Sequence, residues 1–329
     1  MKNRFNRIRP HHLALAILGS STAMGGTEAT AAAPSSCLDW VKVSGYAAIA
    51  YTHTDNGTET FADGGSPFDA VKVGFEGTQG PVGGYASLFY TPGVASDEAG
   101  ILDAYLTYKA GAFTLTGGKY LSYLGYEAFD AVNMTQITYA NGLGAVPAYH
   151  NGIKIDYSSD VLGAGFNISD SIRGGDGFWT GDEEISDDQG YEAYVSYKGI
   201  DKLTIWAGVG YENTDGLAAE DFITYDLWSS YSLSEKMTIA GEVAYNDSGT
   251  TCGIQGLAFL KYAFTDQFST AFRFGIDEFK SGGTDNRKYT FAPAYAFCDE
   301  FLIRAELSFN DTVKDEDSVF SGIQAIAKF

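Results

Sequence analysis

Hydrophobic and polar residues alternate with a period of two along much of the chain. Residues 191–198, 203–212, 237–246 and 301–309 each place apolar side chains at every second position, with mostly polar or small ones between them. Side chains on a β-strand point alternately to opposite faces, so each segment has one apolar and one polar face. We therefore predict amphipathic strands. No apolar run long enough for a transmembrane helix, about 18 residues, follows residue 33.

The length of these segments favours a membrane barrel over a soluble sandwich or propeller, which the alternation alone would also fit. The segments run about ten residues, the length that a tilted strand needs to cross a bilayer. Aromatic residues also cluster near segment ends, where the interfacial girdles of membrane barrels lie. Examples are Tyr191, Tyr197, Tyr289, Phe297, Phe301 and Phe309.

The lengths of the connections alternate as well. After every even-numbered strand the turn is very short, whereas the connections after the odd-numbered strands are longer and polar, as in 53–68, 120–149, 170–189 and 279–287. Outer-membrane barrels have such short periplasmic turns and long extracellular loops. The sequence predicts an all-β, transmembrane antiparallel β-barrel of sixteen strands, with fourteen as the alternative. The strands start near residues 43, 69, 82, 101, 112, 150, 162, 190, 202, 222, 236, 253, 267, 288, 300 and 318.

The first 33 residues have the order of a cleaved secretory signal peptide. Four basic residues precede a short apolar stretch over 13–24, and small residues follow as far as Ala33. An amphipathic organelle transit peptide is the alternative. Cleavage after Ala33 would leave residues 34–329 as one exported barrel domain.

Charge and cysteine content narrow the classes of partner. The chain has 42 acidic and 21 basic residues and a formal charge of −21, which argues against nucleic acid as a partner because phosphate binding needs a positive surface. The three cysteines match no zinc spacing. Cys37 and Cys298 both fall on the periplasmic side in this topology, so a disulfide between them is permitted. We predict no metal and no cofactor.

The sequence offers little for catalysis. Once the signal peptide is removed, His53 and His150 are the remaining histidines, and no Gly-x-Ser-x-Gly motif occurs. The many acids show no pairing for acid–base chemistry beyond chance. We predict that the protein is not an enzyme and that His150 is structural or lines the mouth; an enzymatic barrel is the weakest alternative.

Two parts of the chain carry a resemblance to a known family. The chain ends in Phe329, as the last strand of Gram-negative outer-membrane barrels does. In the middle, Gly118-Lys119-Tyr120 and Leu124-Gly125-Tyr126-Glu127 are followed by Pro147-Ala148-Tyr149-His150-Asn151-Gly152. This arrangement resembles the putative beta-barrel porin-2 family of outer-membrane proteins. The resemblance implies a passive solute pore in the outer membrane, without naming the solute.

The resemblance also implies a role for the longest connection, 120–149. In general porins the loop at this place folds into the barrel and narrows it, and we expect the same here. Its content of Tyr, Leu, Val and Gly suits packing against an inner wall. An outer loop with two solvated acids is the alternative. We propose that two acids of this loop face two arginines of the opposite wall and form a constriction of the pore. The residues of the proposed constriction are Tyr126, Glu127, Asp130, Arg273 and Arg304.

These features predict a porin. A sixteen-stranded barrel is wide enough for an aqueous channel. Ionisable groups are expected on the inner face, because each would cost about 2–4 kcal/mol if it faced lipid at the membrane midplane. We expect passive diffusion of small hydrophilic solutes, with a mild cation preference set by the acidic loops. A plugged lumen and a non-conducting structural or adhesive barrel are the alternatives. The expected partners are outer-membrane lipid, lipopolysaccharide, small solutes or ions, and two further copies in a homotrimer. The other predicted lumen-lining residues are Lys154, Asp156, Glu192, Lys198, Glu242, Asp277 and Glu306.

Overall fold

The computed structural model describes residues 40–65, 67–92, 99–140, 149–172, 189–213, 221–313 and 317–329. The predicted signal peptide and Cys37 lie outside these residues. Seventeen strands form one antiparallel sheet: β1 Val41–Thr54, β2 Glu59–Phe61, β3 Ala70–Gln79, β4 Val82–Tyr90, β5 Ala99–Ala110, β6 Phe113–Leu121, β7 Tyr149–Ser158, β8 Leu162–Ser169, β9 Gln189–Tyr197, β10 Leu203–Asn213, β11 Phe222–Ser234, β12 Met237–Asp247, β13 Cys252–Ala263, β14 Phe268–Ser281, β15 Asn286–Cys298, β16 Phe301–Thr312 and β17 Ser318–Lys328.

The sheet closes on itself because the last strand pairs with the first. β17 pairs with β1 from Tyr46↔Lys328 to Thr54↔Phe320, and β1 pairs with β3 along its other edge. The three-residue β2 pairs only with the end of β1. Sixteen long strands therefore form the closed barrel, which confirms the predicted count. Full closure satisfies the backbone hydrogen bonds of every strand without leaving an edge.

The alternation along the strands separates an apolar outer face from a polar inner face. Large apolar side chains are exposed on the outer face, for example Leu106, Ile153 and Leu307. The alternate residues of the same strands point inward, as Lys154 beside Ile153 does, and the Lys154 ammonium lies over the ring of Tyr123 in the loop after β6. No helix within the described ranges is long and apolar enough to cross a membrane.

The connections follow the predicted alternation, with one clear difference. The turn between β3 and β4 is Gly80-Pro81, and the loop between β6 and β7 spans 122–148. The predicted connection 279–287 is mostly strand, because β14 continues to Ser281 and β15 begins at Asn286, so that only 282–285 lie between them. Strand ends that extend past the bilayer lie in water, where charged residues such as Glu278 and Lys280 do not disfavour strand pairing.

The backbone of β6 passes very close to β5 at one glycine. Gly118 has a φ of +129°, and a Cβ atom there would lie 2.2 Å from the carbonyl oxygen of Ala104. We expect Gly118→Ala to lower the free energy of unfolding by about 1–3 kcal/mol, measured by urea unfolding in lipid vesicles. Gly117→Ala is the matched control, since a Cβ atom there meets nothing within 4 Å. Equal effects of the two substitutions would contradict this interpretation.

Candidate functional site

The described part of the loop after β6, residues 122–140, packs against the inner wall; we call it the inner loop. It buries Leu124, Tyr126, Phe129, Met134 and Ile137. Starting near β7 and β9, it contacts β11, β12 and β14, turns at a short 3-10 segment beside β1, and returns along β16 and β15. Its apolar side chains explain this path, since they are removed from water by packing against the wall.

Glu127 and Arg273 form the central ion pair between the inner loop and β14. Arg273 Nη1 lies 2.6 Å from Glu127 Oε1, and the side chains are 1% and 10% exposed, respectively. The same guanidinium donates to the carbonyl oxygens of Thr138 at 2.5 Å and Tyr139 at 3.2 Å. Glu127 Oε2 in turn accepts from the Ala140 amide at 2.6 Å. The two charges are therefore in direct contact. They hold both the part of the inner loop before the 3-10 segment, residues 122–130 (the first arm), and the part after it, residues 134–140 (the returning arm).

Carboxylates of the wall accept hydrogen bonds from backbone amides of the first arm. Glu192 Oε2 accepts from the Tyr123 amide at 3.1 Å, Asp226 Oδ2 from Gly125 at 2.8 Å, and Glu242 Oε1 from Tyr126 at 2.6 Å. Backbone amides without secondary-structure partners need acceptors when buried. Charge-assisted bonds of this type are stronger than neutral ones. The wall thus supplies the acceptors that the irregular loop lacks.

The returning arm is held on β16 and β15. Glu306 accepts from the amides of Ile137 at 2.5 Å and Thr138 at 2.9 Å, and from the Thr138 hydroxyl. Arg304 donates to the carbonyl oxygen of Met134, and Lys288 Nζ donates to that of Tyr139 at 2.8 Å. Arg304 therefore contacts the loop backbone, not a loop acid.

Asp130 pairs with a lysine that the sequence did not single out. Lys72 Nζ on β3 lies 3.1 Å from Asp130 Oδ2 and 3.0 Å from Asp103 Oδ2. The Tyr46 hydroxyl also donates to Asp130 at 3.1 Å, and Lys72 Nζ lies 3.3 Å from the hydroxyl of Tyr149. The alternating pattern of β3 places Lys72 on the inner face, and that parity was the one signal that could have identified it.

Aromatic side chains of the barrel wall pack against the first arm. Trp206 on β10 and Trp228 on β11 are stacked with ring centroids 5.8 Å apart. Tyr126 packs against Trp228 at 5.5 Å and against Phe259 at 6.0 Å. Such ring contacts are favourable beyond the area that they bury. Burial raises the pKa of the Tyr126 hydroxyl above its ordinary range, so this group is uncharged at neutral pH.

Most of the other predicted lumen residues lie on the inner face. Glu192, Glu242, Asp277 and Glu306 are buried there, and Lys154 and Asp156 are partly exposed on β7. Asp156 Oδ1 accepts from the hydroxyls of Tyr123 at 2.9 Å and Tyr194 at 3.2 Å. Lys198 differs, because β9 ends at Tyr197 and leaves Lys198 exposed in the following turn. It stays a prediction that these residues and the proposed constriction line a conducting path.

The remaining candidate residues are a histidine and the cysteines. His150 is buried, with Nε2 3.5 Å from Glu192 Oε2. Cys298 is exposed and Cys252 half-buried, and within the described residues both are free thiols; the predicted partner of Cys298, Cys37, lies outside those residues. In the same part of the chain, no group of three or more His, Cys, Asp or Glu is arranged to hold a metal ion.

Comparison with known proteins identifies a family model and solved barrels that match this chain. The model described as putative beta-barrel porin-2, OmpL-like, matches residues 41–326. Among curated proteins, the sequence search matches no relative. A loop L8 deletion mutant of OmpT, an outer membrane protein of Vibrio cholerae, has a TM-score of 0.64 at 15% identity, over 88% of this chain and 99% of that chain.

Two other solved structures match with the same TM-score and coverage. In-vitro folded OmpT of Vibrio cholerae, in its trimer form, gives 0.64 at 12% identity, over 88% of this chain and 99% of its own. The anion-selective porin from Comamonas acidovorans gives 0.64 at 13% identity, again over 88% and 99%. At these identities the likeness concerns the fold, which is that of outer-membrane barrels.

Proposed function

Because the chain belongs to the putative beta-barrel porin-2 family, we propose that it forms a water-filled outer-membrane channel for passive diffusion of small hydrophilic solutes, with a mild preference for cations. The closed sixteen-stranded barrel with a polar inner face is the observation that carries this proposal. Eight strands would be filled by side chains, whereas sixteen leave room for an aqueous channel. The inner loop narrows the interior of the barrel but adds no further strands to it.

The sign of the selectivity follows from the charge of the interior. The described residues bury nine carboxylates and three lysine or arginine side chains. A surplus of negative charge in and around a pore enriches cations and repels anions. The porin from Comamonas acidovorans is described as anion-selective, so the shared fold does not determine the sign. The acidic segment 173–188, which lies outside the described residues, would add to the effect at the extracellular mouth.

The reversal potential under a potassium chloride gradient tests this preference. We expect a value on the cation side that becomes smaller as the salt concentration rises, because the Debye length falls from about 10 Å at 0.1 M to about 3 Å at 1 M. A value on the anion side, or one that does not depend on salt, would contradict the proposed role of the acidic groups.

We expect lipid and lipopolysaccharide to surround the exposed apolar outer face. Such a surface is stable in hydrocarbon and would aggregate in water. A homotrimer is part of the proposal, supported by the trimer form described for OmpT of Vibrio cholerae. The mass of the protein–detergent complex measures this, and a monomeric mass in mild detergent would count against it.

A second candidate function is a structural or adhesive barrel that does not conduct. The observation in its favour is the fastening of the inner loop to walls on several sides, since Glu127, Glu306 and Lys72 hold it at three places. A folded barrel that carries no current would favour this candidate over the channel.

A further inference from the structure

The inner face of the barrel has four lysines near the end where short turns join the strands. They are Lys42 on β1, Lys109 on β5, Lys261 on β13 and Lys328 on β17, and each lies within two residues of the end of its strand. Short turns mark the periplasmic end of outer-membrane barrels. Lys261 is half-buried and the other three are exposed. We call these four residues the lysine ring.

The strand register on β1 and β17 shows that two of these lysines point into the lumen. Lys328 stands opposite Tyr46, whose hydroxyl donates to Asp130 of the inner loop. Tyr46 is therefore on the inner face, and so is its cross-strand partner. Residues separated by an even number of positions on a strand lie on the same face. Lys42 is four positions from Tyr46 on β1, so it also points inward.

The same periodicity places the other two lysines on the inner face. Lys261 is two positions from Phe259, which packs against Tyr126 of the inner loop. Lys109 is six positions from Asp103, which is buried on the inner face. The register of both strands is regular between these positions. All four ammonium groups therefore adjoin the lumen at its periplasmic end.

The lysine ring has little negative charge beside it. Among the described residues, none of its four ammonium groups forms an ion pair with a carboxylate. The acids on this stretch of the inner face are Glu76, opposite Lys42 in the register, and Asp156, which accepts two tyrosine hydroxyls. The short turns contain acids as well as Lys202 and Lys236, but they lie beyond the strand ends, where salt water screens them.

The other mouth of the barrel has the opposite charge. Apart from the inner loop, the described parts of the extracellular connections contain seven acids and no lysine or arginine. These acids are Asp55, Asp63, Asp69, Asp170, Asp221, Asp285 and Asp317. An ion that crosses the barrel therefore meets a negative zone at one mouth and the lysine ring at the other.

We infer that the channel rectifies, because the lysine ring attracts anions in series with an acidic mouth that attracts cations; this inference rests on the proposed channel. Charged side chains around a pore enrich ions of the opposite sign. With the extracellular side positive, cations enter through the acidic mouth and anions through the lysine ring, so both accumulate in the lumen and the current is large. The reverse voltage draws both kinds of ion out of the lumen, and the current is smaller.

Current–voltage curves of single channels test this inference in the folded full-length barrel. We expect unequal currents at opposite voltages in 0.1 M potassium chloride and nearly equal ones at 1 M, where the Debye length falls from about 10 Å to about 3 Å. Cys298, exposed at the periplasmic end of β15, reports the orientation. In a Cys37→Ser, Cys252→Ser background, a bulky maleimide polymer lowers the current when added on the periplasmic side. The larger current is expected when the opposite side is positive.

Two matched double variants locate the positive zone. Lys109→Gln with Lys261→Gln removes two charges of the lysine ring, so the ratio of the two currents should fall toward one. Lys202→Gln with Lys236→Gln removes the same charge from the turns and should keep the parental ratio. Glutamine preserves most of the length of each side chain, and none of these four lysines forms an ion pair among the described residues, so both barrels should fold.

Several results would overturn the inference. Channels with equal currents at both voltages in 0.1 M salt, or with the larger current when the extracellular side is negative, would reject rectification and leave the proposed channel intact. An equal loss of asymmetry in the two double variants would assign it to the turns instead of the lysine ring. A barrel that inserts without conducting would contradict the channel and the rectification together, so the two failures are distinguishable.

Discussion

Replacing Arg273 with alanine is expected to release the inner loop from β14 and to raise single-channel conductance. The substitution removes the partner of Glu127 and the donor to the backbone oxygens of Thr138 and Tyr139. Breaking a buried ion pair from one side costs about 3–5 kcal/mol, because the other charge is left without compensation. The strand pairing of β14 with its neighbours does not involve the guanidinium, so the barrel itself should persist. Cation preference should rise, since a positive charge is lost.

Arg287→Ala is the control for this experiment. Arg287 and Asp311 are 3.8 Å apart, and their side chains are 50% and 40% exposed. Exposed pairs of this kind contribute about 0–1 kcal/mol, so conductance should remain that of the parent. Chymotrypsin added to the folded barrel should cleave the inner loop of Arg273→Ala, which is rich in aromatic residues, and spare that of Arg287→Ala. An Arg273→Ala barrel with parental conductance and an uncleaved loop would show that this pair does not fasten the loop.

The double variant Glu127→Gln with Asp130→Asn is expected to shift selectivity in the opposite direction. Glu127 is paired with Arg273, and Asp130 with Lys72. Removing both carboxylates leaves two positive groups at the inner wall with less compensation, so the interior becomes more attractive to anions. The reversal potential under a salt gradient should move toward the anion side. This shift should be largest at low salt, where screening is weakest.

The paired design makes this result informative. If Arg273→Ala and the double variant move the reversal potential in opposite directions, the charges of the inner loop contribute to the field that ions cross. Unchanged selectivity in the double variant would place the inner loop outside the ion path, and the proposed constriction would then be wrong.

The barrel was predictable because each strand carries the alternation of apolar and polar residues that a membrane barrel requires. Each of the sixteen predicted starts lies within two residues of an observed one. The lipid requires apolar side chains at every second position, and that requirement is visible without knowledge of any contact. The short strand β2 carries no such signal, since it has only three residues and pairs with the end of β1.

The attachment of the inner loop was not predictable to the same degree. The sequence suggested Glu127 and Asp130 opposite Arg273 and Arg304, and the structure brings Glu127 and Arg273 together. Asp130 instead contacts Lys72, and Arg304 contacts the backbone of Met134. Which wall residue an irregular loop meets depends on its path through the lumen, and neither strand periodicity nor charge pattern contains that path. Backbone donors and acceptors also have no residue-specific signature.

Single-channel recording in planar bilayers tests the proposed channel most directly. The folded full-length barrel should insert and give stable, discrete current steps at low voltage, and the steps should become larger in Arg273→Ala. A folded, inserted barrel that stays silent, both as the parent and as Arg273→Ala, would contradict the account and leave a structural or adhesive role in its place.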